Sequence, residues 1–226
     1  MDTVFITGVS KGLGKALAEK YYSQGYYVIG ISRTAIDFFK QNATFIQGDV
    51  TDAHIIDLIK QKTDGVLRID IVINNAGAGS FGHKISDVNP EEVLYQVNLH
   101  CIGALRVAKA VYPLLIKSQN PKIINITSRL GSIQQHLRGD FKSRNEFSYG
   151  YKIGKGAQNM LSICMQNDPD LKKVIIMSVN PGLLLTDSGA SDAEHTAEDG
   201  AEKIYNLIKH TNKSGIYHAF KGEALY

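Results

Sequence analysis

Thr3-Val4-Phe5-Ile6-Thr7-Gly8-Val9-Ser10-Lys11-Gly12-Leu13-Gly14 is the stretch whose reading decides the fold. Its first residues form an unbroken apolar run, the pattern of a strand buried on both faces. The run passes directly into a glycine-rich turn. Beyond the turn, Leu13, Leu17 and Tyr21 recur at i, i+4, i+8 and mark a helix from Gly12 to Ser23, with Gly25 as its stop. Strand, glycine turn and helix in this order form a cradle for phosphates, because a helix N-terminus offers unpaired N–H groups and a favourable dipole. Gly8 suits the tight turn, Gly12 lets a pyrophosphate approach the backbone, and Gly14 lets the helix pack closely on the strand. The spacing is Gly-x-x-x-Gly-x-Gly rather than the general Gly-x-Gly-x-x-Gly, so by itself the turn reads equally well as structural.

Working outward, the same alternation repeats. Further strands are predicted at Tyr27–Ser32, Ala43–Gln47, Ile69–Ile73, Lys122–Thr127, Val174–Val179 and Gly215–Phe220. Helices are predicted over Thr51–Lys62, Pro90–Lys117 with a kink at Pro113, Ser148–Met165 and Thr196–His210. Seven strands alternating with helices specify an α/β doubly wound, mostly parallel sheet with helices on both faces. Residues 131–147 are polar and charged (Arg138, Asp140, Lys142, Arg144, Glu146) and read as a solvated loop.

Composition sets the outer bounds. At 226 residues with no Pro/Ser-rich linker or internal repeat, the chain reads as a single domain, 1–226. The net charge is +3 and the basic residues are scattered, which gives no nucleic-acid stripe. Two cysteines, Cys101 and Cys164, build no disulfide framework, and no paired spacing suggests a metal site. No stretch approaches the roughly 20 apolar residues of a membrane span. The expectation is a reduced, cytoplasmic protein with no metal, membrane or nucleic-acid partner.

Six ordered features carry a resemblance: the glycine turn after Thr7; Asp49-Val50; Asn74-Asn75-Ala76-Gly77; Ile124-Asn125-Ile126-Thr127-Ser128; Tyr151-Lys152-Ile153-Gly154-Lys155; and Pro181-Gly182-Leu183-Leu184-Leu185-Thr186. Together they resemble the short-chain dehydrogenase/reductase family across the whole chain, in its short single-domain form, and look similar to small carbonyl reductases of the benzil-reductase or C-factor type. The resemblance implies a Rossmann fold and a nicotinamide cofactor. It implies that Gly8, Ser10, Lys11, Gly12, Leu13 and Gly14 meet the phosphates, and that Asp49 and Val50 meet the adenine. Asn75, Ala76 and Gly77 border the cofactor, and Pro181, Gly182 and Thr186 cover the nicotinamide. It implies catalysis by Asn98, Ser128, Tyr151 and Lys155, with Tyr151 and Lys155 also touching the nicotinamide ribose.

The end of the second strand decides between cofactors. An acid there would bind ribose hydroxyls, but Ser32 and Arg33 stand in its place. Ser32 can donate to a 2′-phosphate and Arg33 can fork onto it, with Lys11 adding charge. NADP(H) is therefore expected over NAD(H).

Tyr151 is the acid/base candidate. A phenol of pKa about 10 needs a neighbouring cation, and Lys155 lies one helical turn on. Tyr-x-x-x-Lys recurs at Tyr205/Lys209 and Tyr217/Lys221, but only the first lies between Ser128 and Pro181. Tyr149 lacks a lysine partner. Ser128 is to donate to the substrate oxygen, with Ser132 as fallback, and Asn98 to hold a water path to Lys155. Leu183, Leu184, Phe81 and Leu130 are expected as an apolar wall, beneath a short segment between Thr186 and Thr196. His83, His136 and His195 carry no special reading.

The function expected is NADPH-dependent reduction of an aldehyde, ketone or diketone, with a small-molecule carbonyl or alcohol as partner. The alternative is a non-catalytic NADP(H)-binding redox sensor. A nucleotide-sugar epimerase is disfavoured, because too little chain follows Gly182 for a substrate domain. The resemblance also implies a homodimer.

Overall fold

The computed structural model describes residues 1–37, 39–141, 148–186 and 193–223. The first half runs β1 (Thr3–Thr7), α1 (Gly12–Ser23), β2 (Tyr27–Ser32), β3 (Ala43–Gln47), α2 (Ile55–Lys62), β4 (Ile71–Asn74) and α3 (Pro90–Val97). A π-turn, Asn98–Ile102, leads into α4 (Gly103–Leu115) and β5 (Lys122–Ile126). The second half runs α5 (Ile133–Arg138), α6 (Tyr149–Gln166), β6 (Ile175–Asn180), β7 (Leu184–Leu185), β8 (His195–Thr196), α7 (Ala197–His210), β9 (Gly215–His218) and β10 (Gly222–Glu223).

The central sheet has the order β10-β9-β6-β5-β4-β1-β2-β3. All its pairs are parallel except β10 with β9. β1 is flanked by β2 and β4, with Val4 opposite Val28 on one side and Ile71 on the other. The chain therefore winds outward from β1 in both directions, and a crevice opens at the carboxyl ends where the winding reverses.

Alternation of side chains along the buried strands builds two cores. Val4 and Ile6 of β1 join Leu17, Ala201 and Ile204 beneath α1 and α7. Phe5 joins Ile59, Val107 and Val111 beneath α2 and α4.

The expected doubly wound sheet is present, with local differences. An eighth strand, β10, adds an antiparallel edge. The seventh strand ends at His218 rather than Phe220, because the Phe220 N–H turns back to His218 Nδ1 at 3.2 Å. The helix α2 starts at Ile55, not Thr51. The Asp49 carboxylate accepts from the Thr51 N–H and Asp52 from the His54 N–H, each at 2.8 Å, and such local bonds compete with a helical start. The long helix expected over Pro90–Lys117 is broken by the π-turn, while Pro113 is accommodated within the last turn of α4.

The expected loop 131–147 is partly helical. Ser132 Oγ caps α5 by accepting from the Gln135 N–H, and Gly139 ends the helix at φ 76°. Lys142, Arg144 and Glu146 lie outside the described residues, as does most of the segment between Thr186 and Thr196. Among the described residues, no helix is long and apolar enough to cross a membrane.

Candidate active site

The crevice at the carboxyl ends of β1, β2, β4, β5 and β6 encloses about 1660 Å³. One end is built by the turn between β1 and α1. Thr7 Oγ1 accepts from the N–H groups of Asn75 at 3.0 Å and Ala76 at 2.9 Å, and the Asn75 amide donates to the Thr7 carbonyl at 3.0 Å. The turn is thus tied to the exit of β4. A Cβ on Gly14 would stand 2.1 Å from the Gly8 carbonyl oxygen, so α1 approaches the turn at a distance only glycine permits. Gly8 itself has φ +76°. No acid lies in the first turn of α1 and no side chain caps it. Its N–H groups are therefore available to phosphates, with Ser10, Lys11, Gly12 and Leu13 on the same wall.

Ser32 and Arg33 line this end, beside Asp49 and Val50. Ser32 corrects the sequence expectation in one detail: its hydroxyl donates to the Thr34 carbonyl at 2.7 Å, so the proton expected for a phosphate is already engaged. Arg33 is exposed and reaches the Tyr95 hydroxyl at 3.4 Å, leaving most of its donors clear for an anion. A cradle without acids at its helix N-terminus, with an exposed cation at the end of β2, fits the phosphates of a dinucleotide.

The other end is lined by Ser128, Tyr151 and Lys155. Ser128 follows β5 and caps a short helical turn, its Oγ accepting from the Leu130 N–H at 3.2 Å. Tyr151 lies in the first turn of α6, where the Ser148 hydroxyl accepts from its N–H at 3.3 Å. Lys155 follows one turn later, with its Nζ 5.9 Å from the centre of the Tyr151 ring. The Lys155 ammonium donates to the Ile126 carbonyl at 2.7 Å and to Gln158 Oε1 at 3.1 Å.

Burial pushes the Lys155 pKa down to about 7. Burial also raises the Tyr151 phenol, and the hydrogen bond with Ser128 opposes it only in part. The expectation that Lys155 lowers the phenol is therefore not met in this structure: desolvation dominates and favours the protonated phenol.

The remaining wall comes from the segment after β6. Pro181, Gly182 and Thr186 line the crevice with Asn75, Ala76 and Gly77 opposite. Thr186 closes against Gly12, where a Cβ would meet its Cγ2 at 3.5 Å. Leu130, Leu183 and Leu184 contribute the expected apolar surface, but Phe81 is 83% exposed outside the crevice.

Asn98 is the catalytic candidate that the fold does not bring to the crevice. The π-turn directs its amide the other way: Oδ1 accepts from Arg106 at 2.6 Å and Nδ2 donates to the Thr51 carbonyl at 3.2 Å. Leu99 and His100 line the crevice in its place. Ser132 is occupied with capping α5. Tyr205 has Lys209 over its ring on α7, and Tyr217 donates to the Lys213 carbonyl, both away from the crevice.

Sequence reasoning missed an aromatic group at the mouth. The His195 ring stacks on Phe220 at 4.0 Å, and His218 lies beside it; all three line the crevice. They come from segments with no common spacing, so no local signal joins them.

The family model for short chain dehydrogenases matches residues 2–197. C-signal of Myxococcus xanthus is 28% identical over 156 residues, 68% of this chain and 90% of that protein. The 1-hydroxy-2-glutathionyl-2-methyl-3-butene dehydrogenase of Rhodococcus sp. is 25% identical over 213 residues, 92% of this chain and 90% of that protein. Among solved structures, NADPH-bound carbonyl reductase from chicken fatty liver superposes over 100% of this chain and 99% of its own, with TM-score 0.88 at 19% identity. The carbonyl reductase Sniffer of D. melanogaster covers 100% of both chains with TM-score 0.86 at 22% identity. These structures share the fold. The matched residues run from β1 through the glycine turn, Ser128 and the Tyr151–Lys155 pair to Ala197, and the chain belongs to the short-chain dehydrogenase family of oxidoreductases.

Proposed function

We propose that the protein is an NADPH-dependent carbonyl reductase, reducing an aldehyde, ketone or diketone to the alcohol with Tyr151 as general acid. The observation that carries this reading is the convergence of Ser128, Tyr151 and Lys155 at one end of a crevice whose other end pairs an uncapped helix N-terminus with Arg33.

Gly8, Ser10, Lys11, Gly12, Leu13 and Gly14 would hold the pyrophosphate, and Arg33 the 2′-phosphate, with Ser32 beside it held to the Thr34 carbonyl. Asp49 and Val50 would meet the adenine, Asn75, Ala76 and Gly77 the floor of the site, and Pro181, Gly182 and Thr186 the nicotinamide. A bound nicotinamide supplies the hydride.

Ser128 Oγ and the Tyr151 hydroxyl bind the carbonyl oxygen of the substrate. Tyr151, protonated at neutral pH through its burial, donates its proton as charge develops on that oxygen. Lys155, its Nζ 5.9 Å from the centre of the Tyr151 ring, is the cation nearest the phenolate left behind. Leu130, Leu183 and Leu184 exclude water around the reacting carbon. Catalysis by one domain spanning 1–226, in the cytoplasm and as a homodimer, completes the proposal. Tyr149, Ile153, Met160 and Ile163 expose an apolar stripe on α6 that would suit such a dimer.

The test is NADPH consumption against a panel of aldehydes, ketones and diketones, with NADH and Tyr151→Phe in parallel. Turnover with NADPH that disappears in the variant supports the reading. Tight NADPH binding with no turnover on any carbonyl overturns it in favour of the sensor.

A further inference from the structure

The crevice holds a second group of cations at its mouth, away from the phosphate cradle. The hairpin joining β9 to β10 brings His218, Phe220 and Lys221 to one side of this mouth, with Gly222 paired opposite His218. The turn that follows Ser128 brings Arg129 to the other side. Pro181 and Gly182 leave β6 between them, because β6 lies between β9 and β5 in the sheet. Gly182 lets the hairpin close on that segment: its φ is +83°, and a Cβ there would stand 3.3 Å from the Phe220 ring and 3.5 Å from His218 Cε1.

The donors of this mouth are largely uncommitted. The Phe220 N–H donates to His218 Nδ1 at 3.2 Å, so the proton of the neutral imidazole sits on Nε2 and remains as a donor. Burial, with the charges of Lys221 and Arg129, holds His218 below the usual histidine range, which keeps the ring neutral at pH 7 and places both cations within electrostatic reach of it. Arg129 is half-buried, with its guanidinium 5.2 Å from the centre of the Phe141 ring. Among the described residues, neither Arg129 nor Lys221 forms an ion pair. Glu194, the carboxylate on the same rim, is exposed. Arg129 thus gives up part of its hydration without an acid in return, a cost that an anionic ligand offsets.

Resting on the reductase reading, we propose that this mouth is a carboxylate subsite and that the preferred substrate is an oxo acid, its carboxylate held by Arg129 and Lys221 with the His218 Nε2–H as third donor. Arg129 directly follows Ser128, so the anion is bound by the residue next to the one set against the reacting oxygen. Phe220, stacked on His195 at 4.0 Å, and Leu183 cover the carbon frame between the two ends. No bond is made or broken at the subsite; it selects the substrate and orients it.

The experiment saturates the protein with NADPH, which fills the phosphate cradle, and compares 2-, 3- and 4-carboxybenzaldehyde with their methyl esters. The readout is the ratio of kcat/KM for acid to that for ester. Wild type is expected to prefer at least one acid by about tenfold. Arg129→Gln is expected to reduce that ratio about tenfold, the scale of a charge-assisted hydrogen bond. Lys221→Gln is expected to reduce it about threefold, because water and salt screen the exposed lysine. Equal use of acids and esters by wild type overturns the proposal, as does a preference that survives both substitutions. A variant that lowers acid and ester alike also overturns it, since it marks a disturbed Ser128 rather than a lost anion contact. 4-Formylphenyl phosphate used better than every carboxylate overturns the oxo-acid assignment in favour of a phosphate. Independently of turnover, calorimetric titration of the NADPH-saturated protein with the three hydroxymethylbenzoates is expected to show binding that Arg129→Gln weakens about tenfold; binding indifferent to Arg129, or none, overturns the subsite. A wild type inactive on every carbonyl that still binds these acids through Arg129 strikes the reductase reading and leaves the subsite standing. An active wild type without acid preference strikes the subsite alone.

Discussion

The Lys155 ammonium donates a 2.7 Å hydrogen bond to the main-chain carbonyl of Ile126, so the lysine of α6 is anchored to the last residue of the strand that delivers Ser128. This bond ties α6 to the end of β5, the two elements that carry Tyr151 and lead into Ser128. The Gln158 bond holds the same ammonium from the helix side.

This anchored lysine has a consequence for stability. Its folded pKa, about 7, lies below the ordinary 10.5. Between those values the unfolded chain binds the extra proton, so stability rises with pH across that window. Below pH 7 both states are protonated and the cost of burying the charge is fully present. Thermal melts of the cofactor-free protein should therefore show wild type gaining on Lys155→Met from about pH 7 to about pH 10. A constant difference between the two would contradict the buried, depressed lysine.

Tyr151→Phe removes the acid but keeps the ring that packs against His100. Carbonyl turnover should fall by about two to four orders of magnitude. The melting temperature and NADPH affinity should change little, as measured by scanning calorimetry and fluorescence titration.

Arg33, the exposed cation after β2, is the residue that the proposed reading sets against a 2′-phosphate. Arg33→Ala should weaken NADPH binding about tenfold, the scale of one charge-assisted hydrogen bond, and leave NADH binding unchanged. Equal losses for both cofactors would remove Arg33 from phosphate recognition.

Lys122 offers a control remote from the crevice. It is 4% exposed at the start of β5, and its ammonium donates to the carbonyls of Ile208 at 2.6 Å and Thr211 at 2.8 Å, closing the C-terminal end of α7. Lys122→Met leaves those carbonyls without their donor. It should cost about 1–3 kcal/mol in denaturant unfolding, with activity at permissive temperature unchanged.

Much of the architecture is legible in local patterns. Unbroken Val/Ile runs mark the parallel strands because both faces of each are covered. The turn from Thr7 to Gly14 is legible because its glycines answer close approaches, as the 2.1 Å clearance at Gly14 makes concrete. Boundaries were harder to read. The Asp49 and Asp52 side chains hold the segment before Ile55 in local turns by accepting from the Thr51 and His54 N–H groups, and the helical turns of α5 are hidden in a charged segment.

The site divides along the same line. Order along the chain and residue chemistry determined that Ser128, Tyr151 and Lys155 belong together and that a cation replaces the acid after β2. Tertiary structure decided what those groups experience. Burial keeps Tyr151 protonated and brings Lys155 near neutrality, a matter of desolvation that no spacing encodes. The π-turn adds a residue to the helical register, which turns Asn98 toward Arg106 and presents His100 to Tyr151 instead. The pairing of His195 with Phe220 depends on where two distant segments end against one sheet edge. Local sequence sets which conformations and reactive groups are available; the packing of elements remote in sequence sets their dielectric surroundings and their facing partners.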